Sequence, residues 1–450
     1  MQLTKELFVI PNGENYILYA PLKQAVAEVN GNIVNLLKKL KSGEDIGNLE
    51  KKLDELKQLG IVTEGETPIK EYVPKRDYLP TAVTLIPGLD CNLRCVYCYS
   101  NAGEDAGKVM DIKIAKAAID FVVKNAIIKD EKKVSLVFHG GGEPFLPKNL
   151  GLIKESVEYF RRRAQLYRLN SNVSGITNGI MNIDTAEWIS KNLENLTISL
   201  DGPKDIQNKQ RPAKDGRDSF SRVINTVNYL ESRKFNYTLR GVITKDSVYR
   251  MEEILEFYHT VSPNVNFFTL EPLFECGRCK TTKAEAPDPE EFVNGFVKIQ
   301  ELARKYGKNL HNSCSEIAGV RHYFCGATNN ATFFVLPDGD VSSCLEVCRK
   351  SDPRADIFII GQYNVQTTGF DFDSDKIHYL NSRNVENIPN CADCFAKYDC
   401  AGDCPARCYD KSGSIFDISD DSSRCRINQG IIKNNLVQLL KGGNKNGSTI

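Results

Sequence analysis

The chain has 450 residues, 41% of them hydrophobic, and its 58 Lys plus Arg balance 58 Asp plus Glu. That length calls for two or three domains, and the charge balance excludes the broad basic surface of a nucleic-acid binder. No apolar run approaches about 18 residues and Met1–Glu6 lacks a signal-peptide core, so the sequence reads as cytoplasmic, with no membrane partner. The 15 cysteines are then metal ligands, catalytic thiols or packing residues rather than a secreted disulfide framework.

Residues 1–65 read as a small unit. Extended runs at Glu6–Ile10, Tyr16–Ala20 and Ala25–Val29 are punctuated by Asn12-Gly13 and Pro21-Leu22. Helical patterns follow at Ile33–Leu40 and Leu49–Leu59, the second ended by Gly60. Three strands plus helices predict a winged-helix-like module, and Glu64–Pro80 has the polar, Pro-containing composition of a linker. From Thr81 strands alternate with helices. Strands are predicted at Val83–Ile86, Val134–Phe138, Val173–Ile176, Leu196–Ser199, Tyr237–Ile243 and Val265–Leu270, and helices at Ile112–Lys124 and Leu152–Leu166. This rhythm predicts an α/β fold of parallel strands with right-handed crossovers, its sites on loops at the C-terminal strand ends. From His311 to Cys425 the chain is loop-rich and cysteine-dense, and Lys441–Ile450 is predicted to be a disordered tail.

Cys91, Cys95 and Cys98 fall on the loop after the first of these strands, separated by three residues and then two. Three thiolates hold three irons of a four-iron, four-sulfur cube and leave the fourth iron open to a small ligand. The stretch Cys91-Asn-Leu-Arg-Cys95-Val-Tyr-Cys98 resembles the radical S-adenosylmethionine (radical SAM) signature. Gly141-Gly142-Glu143-Pro144, Thr177-Asn178-Gly179 and Ser199-Leu200-Asp201-Gly202 resemble further motifs of that family, in the same order. The resemblance implies a partial (β/α)6 TIM-like barrel over roughly residues 81–310. It implies that the open iron binds the amino and carboxylate groups of S-adenosylmethionine. Tyr97 then lies near the adenine, Gly141, Gly142 and Glu143 contact the amino group, and Ser199 and Asp201 are candidates for the ribose. Arg211 and Arg240 are candidates for the cofactor carboxylate or the substrate, against the plain reading of surface or barrel arginines. An external electron donor such as flavodoxin or ferredoxin is also implied.

Beyond the barrel, Cys325 is followed by Gly339 and Cys344, then by Cys391, Cys394, Cys400, Cys404 and Cys425. This order and spacing resembles the seven-cysteine SPASM motif, which implies two auxiliary 4Fe-4S clusters and so three clusters in all. Carried over residue by residue, Cys391, Cys394, Cys400 and Cys425 hold an outer cluster, and Cys325, Cys344 and Cys404 an inner one. Cys314 is the candidate fourth inner ligand, although it lies farther upstream than in relatives. An inner cluster open to a substrate thiolate is the alternative. A four-thiolate zinc site from Cys391, Cys394, Cys400 and Cys404 is the competing reading. Glu346 and Asp403 are candidates for acid–base work; Cys276 and Cys279, placed after the last barrel strand, are candidates to face the active site, and Cys348 and Cys408 read as packing residues.

The front pattern resembles the PqqD-like RiPP recognition element, which binds the leader of a ribosomally made precursor peptide; a decoration that only packs on the enzyme is the plain alternative. The expected organisation is 1–76 for this element, 77–310 for the barrel, 311–440 for the SPASM domain and 441–450 for the tail. Together the resemblances imply a radical SAM peptide maturase. Its 5′-deoxyadenosyl radical would abstract hydrogen from the precursor peptide and install a thioether cross-link of the sactipeptide or ranthipeptide kind, with a carbon–carbon or carbon–oxygen link next. An anaerobic sulfatase-maturating, formylglycine-generating enzyme is one alternative and a non-catalytic peptide-delivering scaffold another.

Overall fold

The structure, a computed structural model, describes residues 1–44, 53–65, 77–104, 107–441 and 447–449. The front unit comprises β1 (Gln2–Leu3), β2 (Phe8–Asn12), β3 (Asn15–Ala20), β4 (Ala25–Val29), α1 (Gly31–Ser42), α2 (Asp54–Gln58) and β5 (Val62–Thr63). Gly13, at φ +63°, turns β2 into β3, and the Asn30 side chain caps α1 by accepting from the N–H groups of Asn32 and Ile33. The expected helix Leu49–Leu59 is helical over Asp54–Gln58, and its start lies outside the described residues, as does 66–76 of the expected linker.

Period-two alternation gives the β2–β4 sheet two apolar faces. Leu18, Ala27 and Val29 pack towards Ile33, Val34 and Leu37 of α1. Ile10, Ile17, Tyr19 and Val26 pack on Ala396, Cys400, Ile432 and Leu436 of the C-terminal region. The Tyr19 hydroxyl donates to Asp399 at 2.9 Å, and Lys397 pairs with Glu6 at 3.0 Å. The front unit is therefore docked on the cysteine-rich region by buried apolar and polar contacts.

The barrel follows as β6 (Ala82–Leu85), α3 (Ile112–Ile128), β7 (Lys133–Phe138), α4 (Leu150–Leu166), β8 (Asn170–Thr177), α5 (Ile183–Asn192), β9 (Asn195–Ser199), α6 (Lys204–Gln210), α7 (Ser219–Ser232), β10 (Tyr237–Ile243), α8 (Met251–Val261) and β11 (Phe267–Pro272). Strands β6 to β11 pair in parallel, each with the next. Strand β11 starts two residues later than its pattern suggested, because the Val265 N–H closes a turn on the Ser262 carbonyl. Then come α9 (Cys279–Thr282), α10 (Pro289–Lys305) and β12 (Asn309–His311), the last parallel to β11.

The expected boundary at 310/311 runs through a continuous sheet. In the C-terminal region β13 (Phe334–Val335), β14 (Asp340–Ser342), α11 (Ala355–Phe358), β15 (Ile359–Asn364), β16 (Gly369–Phe372), α12 (Ser374–Ser382), α13 (Lys397–Cys400), α14 (Pro405–Ser412) and α15 (Ser423–Lys441) follow. Strand β13 pairs in parallel with β6, and β14 to β16 continue antiparallel, making one open sheet of eleven strands. Apolar residues of both regions share one core, in which Val335, Phe358 and Ile431 join Val83, Phe138 and Leu239. The region is thus less loop-rich than its sequence suggested: strands of two and three residues are too short to carry a readable alternation.

The tail also departs from expectation. Residues 442–446 and 450 lie outside the described part, but β17 (Gly447–Thr449) pairs in parallel with Val26–Glu28 of β4. An open edge offers backbone N–H and C=O groups to any extended segment, whatever its composition. Among the described residues no helix is long and apolar enough to cross a membrane.

Candidate functional site

The cysteine triplet sits on the loop after β6, held in shape by its own Arg94 and by residues from the neighbouring strand ends. Arg94 donates to the carbonyls of Cys91, Leu93 and Gly103 at 2.8–2.9 Å. The Val96 N–H donates to Gln210 O at 2.9 Å, and Asn178 Nδ2 reaches Cys91 Sγ at 3.6 Å. From the other side, Tyr99 and Ser100 hydroxyls donate to the carbonyls of Gly140 and Gly141 at 3.0 and 2.8 Å. All 15 cysteines are free thiols. Burial pushes the Cys91 thiol far up, and the neighbouring Cys95 adds to it; Cys95 itself is pushed up to about 11 by burial, with Arg211 opposing.

Gly141–Pro144 follows β7 and packs directly beneath this loop. A Cβ on Gly142 would stand 2.2 Å from the Asp90 carbonyl oxygen, and one on Gly141 would meet Leu89 at 2.6 Å, so only glycine lets the two loops approach. Glu143 is almost fully buried. Its carboxylate accepts from Thr177 Oγ1 at 2.7 Å, Asn178 N at 2.8 Å and Phe145 N at 3.1 Å. Burial nevertheless pushes its pKa up to about 7. A buried carboxylate held by neutral donors at the end of a barrel strand is suited to accept an ammonium.

Tyr97, Asp201 and Arg211 form one buried unit. Asp201 accepts from the Tyr97 hydroxyl, from Gln210 Nε2 at 2.8 Å, from Val242 N at 3.0 Å and from Arg211 Nη2 at 3.0 Å. The Arg211 guanidinium lies 5.4 Å from the Tyr97 ring centre, and its Nε has no partner. With its oxygens taken by protein donors, Asp201 orients Tyr97 and Arg211 rather than offering a free acceptor to a ribose. Ser199 ends β9 nearby. Arg240 is half exposed on β10, 4.0 Å from Glu271.

The C-terminal cysteines gather in two groups. Cys391, pushed up to about 12 by burial and then by Cys394 and Cys425, lies with those two residues. Cys400 shares this group, since burial and Cys425 both raise its thiol. Asn428 Nδ2 donates to Cys400 Sγ at 3.1 Å and Gln429 Nε2 to Cys394 Sγ at 3.4 Å, both from α15. Cys325, Cys344 and Cys404 form the second group: burial raises Cys325 to about 12 with Cys404 adding, and Cys344 feels both. Cys314, at φ +61°, acts on Cys325 and on Cys400 and so stands between the groups.

Neither acid–base candidate is free. Glu346 is gripped by Arg354 at 3.0 Å and Arg407 at 3.1 Å; burial alone would raise it, but the two arginines hold it below the usual carboxylate range. Asp403 accepts from Ser422 Oγ at 2.5 Å and Cys404 N at 2.6 Å. Both read as positioning anions beside the cysteines. Cys348 packs with Ile86 and Leu336, Cys408 with Val385 and Ile388, and Cys279 with Tyr97 and Leu273. Sequence reasoning missed Asn178 as a donor to a ligand thiol, and likewise Asn428 and Gln429; a polar residue three or four positions after Cys425 on a helix was the only available signal.

The residues present fit iron–sulfur chemistry. Buried thiols whose ionised forms would repel one another, with N–H donors aimed at their sulfurs, suit thiolate ligands of a cationic iron–sulfur core.

The model of the Radical SAM superfamily matches residues 85–258, the span holding the triplet, the glycine turn and the Asp201 unit. This part of the chain is a radical SAM domain, the class that combines S-adenosylmethionine with an iron–sulfur cluster. The cysteine-type anaerobic sulfatase-maturating enzyme of Clostridium perfringens is 24% identical over 345 residues, 71% of this chain and 87% of that protein. The serine-type enzyme of Bacteroides thetaiotaomicron is 23% identical over 369 residues, 72% of this chain and 82% of that protein. Among solved structures, anSMEcpe with bound AdoMet superposes with a TM-score of 0.64 at 19% identity, covering 81% of this chain and 95% of that one. Streptococcus suis SuiB bound to precursor peptide SuiA gives 0.53 at 14% identity, covering 94% and 99%.

Proposed function

We propose that this protein is a radical SAM enzyme that oxidatively modifies a ribosomally made precursor peptide, a thioether cross-link being the leading product. The observation that carries the reading is coverage. SuiB, whose structure holds a precursor peptide, aligns over 94% of this chain, while anSMEcpe aligns over 81%. The wider match is what a front module shared with a peptide modifier would produce. The front sheet supports the same reading, because its β4 edge accepts an added strand, here the chain's own residues 447–449.

Cys91, Cys95 and Cys98 would hold the first cluster, Cys391, Cys394, Cys400 and Cys425 an outer one, and Cys325, Cys344 and Cys404 an inner one with Cys314 as fourth ligand. When bound, these groups and S-adenosylmethionine supply one-electron chemistry: hydrogen removal from an unactivated carbon, and acceptance of the electron left over when a second hydrogen is lost. The chain's own residues do the rest. Glu143 receives the ammonium of S-adenosylmethionine, Asp201 fixes Tyr97 and Arg211 on the cofactor side, and Arg354 and Arg407 keep Glu346 ionised beside the inner cysteines. The front sheet would hold the leader, and an external reductant such as flavodoxin or ferredoxin would be the electron source.

The second reading, sulfatase maturation, is favoured by the curated relatives at 23–24% identity. One experiment separates the two. The chain is coexpressed with a candidate precursor peptide that carries a leader, and with a sulfatase-derived Cys peptide. The proposal expects loss of two hydrogens from the first peptide and a product inert to hydrazide reagents. An unchanged mass despite S-adenosylmethionine turnover, or a hydrazide-reactive aldehyde formed on the second peptide, would sink it.

A further inference from the structure

The pair Cys276 and Cys279 brackets the residues that reach the radical SAM loop from across the barrel. Gly277 has φ +51°, and a Cβ there would stand 2.4 Å from the Cys98 carbonyl oxygen and 2.6 Å from that of Tyr99. The backbone N–H of Arg278 donates to Cys98 O at 3.0 Å. Its guanidinium donates through Nη1 to Cys95 O at 3.0 Å and through Nη2 to Ala102 O at 2.9 Å, and it meets Glu104 Oε1 at 3.1–3.2 Å. Thr282 Oγ1 adds a bond to Val96 O at 2.6 Å. The short segment after β11 thus binds carbonyls at two of the three ligand cysteines and between them.

The charges differ in how they are compensated. Arg211 also acts on Cys95, more strongly than Arg278 does, but it is paired at 3.0 Å with Asp201, whose side chain is 0% exposed and whose charge opposes it there. The Arg278 side chain is 8% exposed, whereas its partner Glu104 is 52% exposed and screened by water. Arg94 holds the Cys91 end of the loop through carbonyls alone. Arg278 therefore brings a buried cation with an incompletely cancelling partner to the Cys95–Cys98 end.

We propose that Arg278 is a positioning residue for the radical SAM centre: its fork fixes the loop that presents Cys95 and Cys98, and its charge raises the midpoint potential of the cluster held there. A cation next to a cluster favours the reduced, more negative form, and hydrogen bonds around the ligands are a recognised lever on potential. The proposal rests on the radical SAM domain and not on the identity of the substrate.

The test uses the full chain, reconstituted anaerobically, with an EPR-monitored redox titration of the signal that disappears in Cys91→Ala. Arg278→Met is expected to move that midpoint to a more negative value and to lower cluster occupancy. Arg278→Lys keeps the charge, so its potential stays near that of the unmodified chain while occupancy falls. Glu104→Gln, on the surface, moves the potential in the positive direction. Signals that persist in Cys91→Ala belong to the other clusters and stay unmoved throughout. An Arg278→Met protein with full occupancy and an unchanged potential overturns the proposal. If that variant loses the cluster altogether, Arg278→Lys decides: full occupancy, or a midpoint displaced to a more negative value despite the retained charge, overturns it.

Discussion

The radical SAM loop and the C-terminal cysteine groups bring thiols together in different ways. The loop carries its three cysteines within eight residues and is shaped by its own Arg94 and, from other strand ends, by Asn178 and the glycines beneath. The C-terminal groups draw cysteines from as far apart as Cys325 and Cys404 or Cys391 and Cys425, so the fold itself assembles them. The first arrangement leaves a buried carboxylate, Glu143, close to the triplet with neutral donors only. In the second, the nearby carboxylates are already engaged, Glu346 by two arginines and Asp403 by Ser422. Only Glu346 is neutralised by cations; Glu143 and Asp403 are both held by neutral donors, and what sets Glu143 apart is its place beneath the radical SAM loop.

Substitutions can break this comparison directly. The largest expected effect separates the two jobs. Cys98→Ala should abolish 5′-deoxyadenosine formation, while Cys344→Ala should leave that formation intact and stop peptide modification, both read by chromatography after anaerobic turnover. If Cys344→Ala also silences cofactor cleavage, the two regions do not act separately.

Glu143→Gln comes next. Losing a charge-assisted contact worth about 1.5–3 kcal/mol should weaken S-adenosylmethionine binding by about 10–100-fold in calorimetry. The pH dependence sharpens the point. Burial raises the Glu143 pKa to about 7, so below that pH the free site is protonated and must lose its proton to receive an ammonium. Affinity should then fall by up to about tenfold per unit as pH drops below 7. In Glu143→Gln that dependence should vanish, and if it persists the acceptor lies elsewhere.

The smallest effect concerns the docked front unit. Tyr19→Phe removes the hydroxyl that donates to Asp399, next to Cys400. A loss of about 1–3 kcal/mol in chemical denaturation is expected, as for a buried acceptor left one donor short. An unchanged stability would mean that the apolar contacts of Ile10, Ile17 and Val26 alone hold the front unit in place.

Much of this comparison was legible in the sequence, for a physical reason. Strands β6 to β11 carry residue patterns long enough to read, and the triplet's spacing lies within one loop, so neither depends on distant partners. What was hidden depends on tertiary contact. The second apolar face of the front sheet, Ile10 with Ile17 and Val26, alternates like any half-exposed strand until Ile432 and Leu436 cover it. Strands β13 and β14 are held by pairing with β6 and β15 rather than by their own propensity. Asp201 and Arg211 read singly as cofactor contacts, and only the structure shows that they pair with each other, with Arg211 Nε left unpartnered. Arg278 sits between two cysteines that drew attention for their own sake, while the side chain that matters lies between them.

The proposed function requires one cluster on the loop and two more in the assembled region. The most direct measurement is iron and acid-labile sulfide content, with Mössbauer spectra, of the reconstituted chain and of its Cys91→Ala/Cys95→Ala/Cys98→Ala variant. Three 4Fe-4S clusters predict about twelve irons falling to about eight. About four irons falling to nearly none would contradict the account.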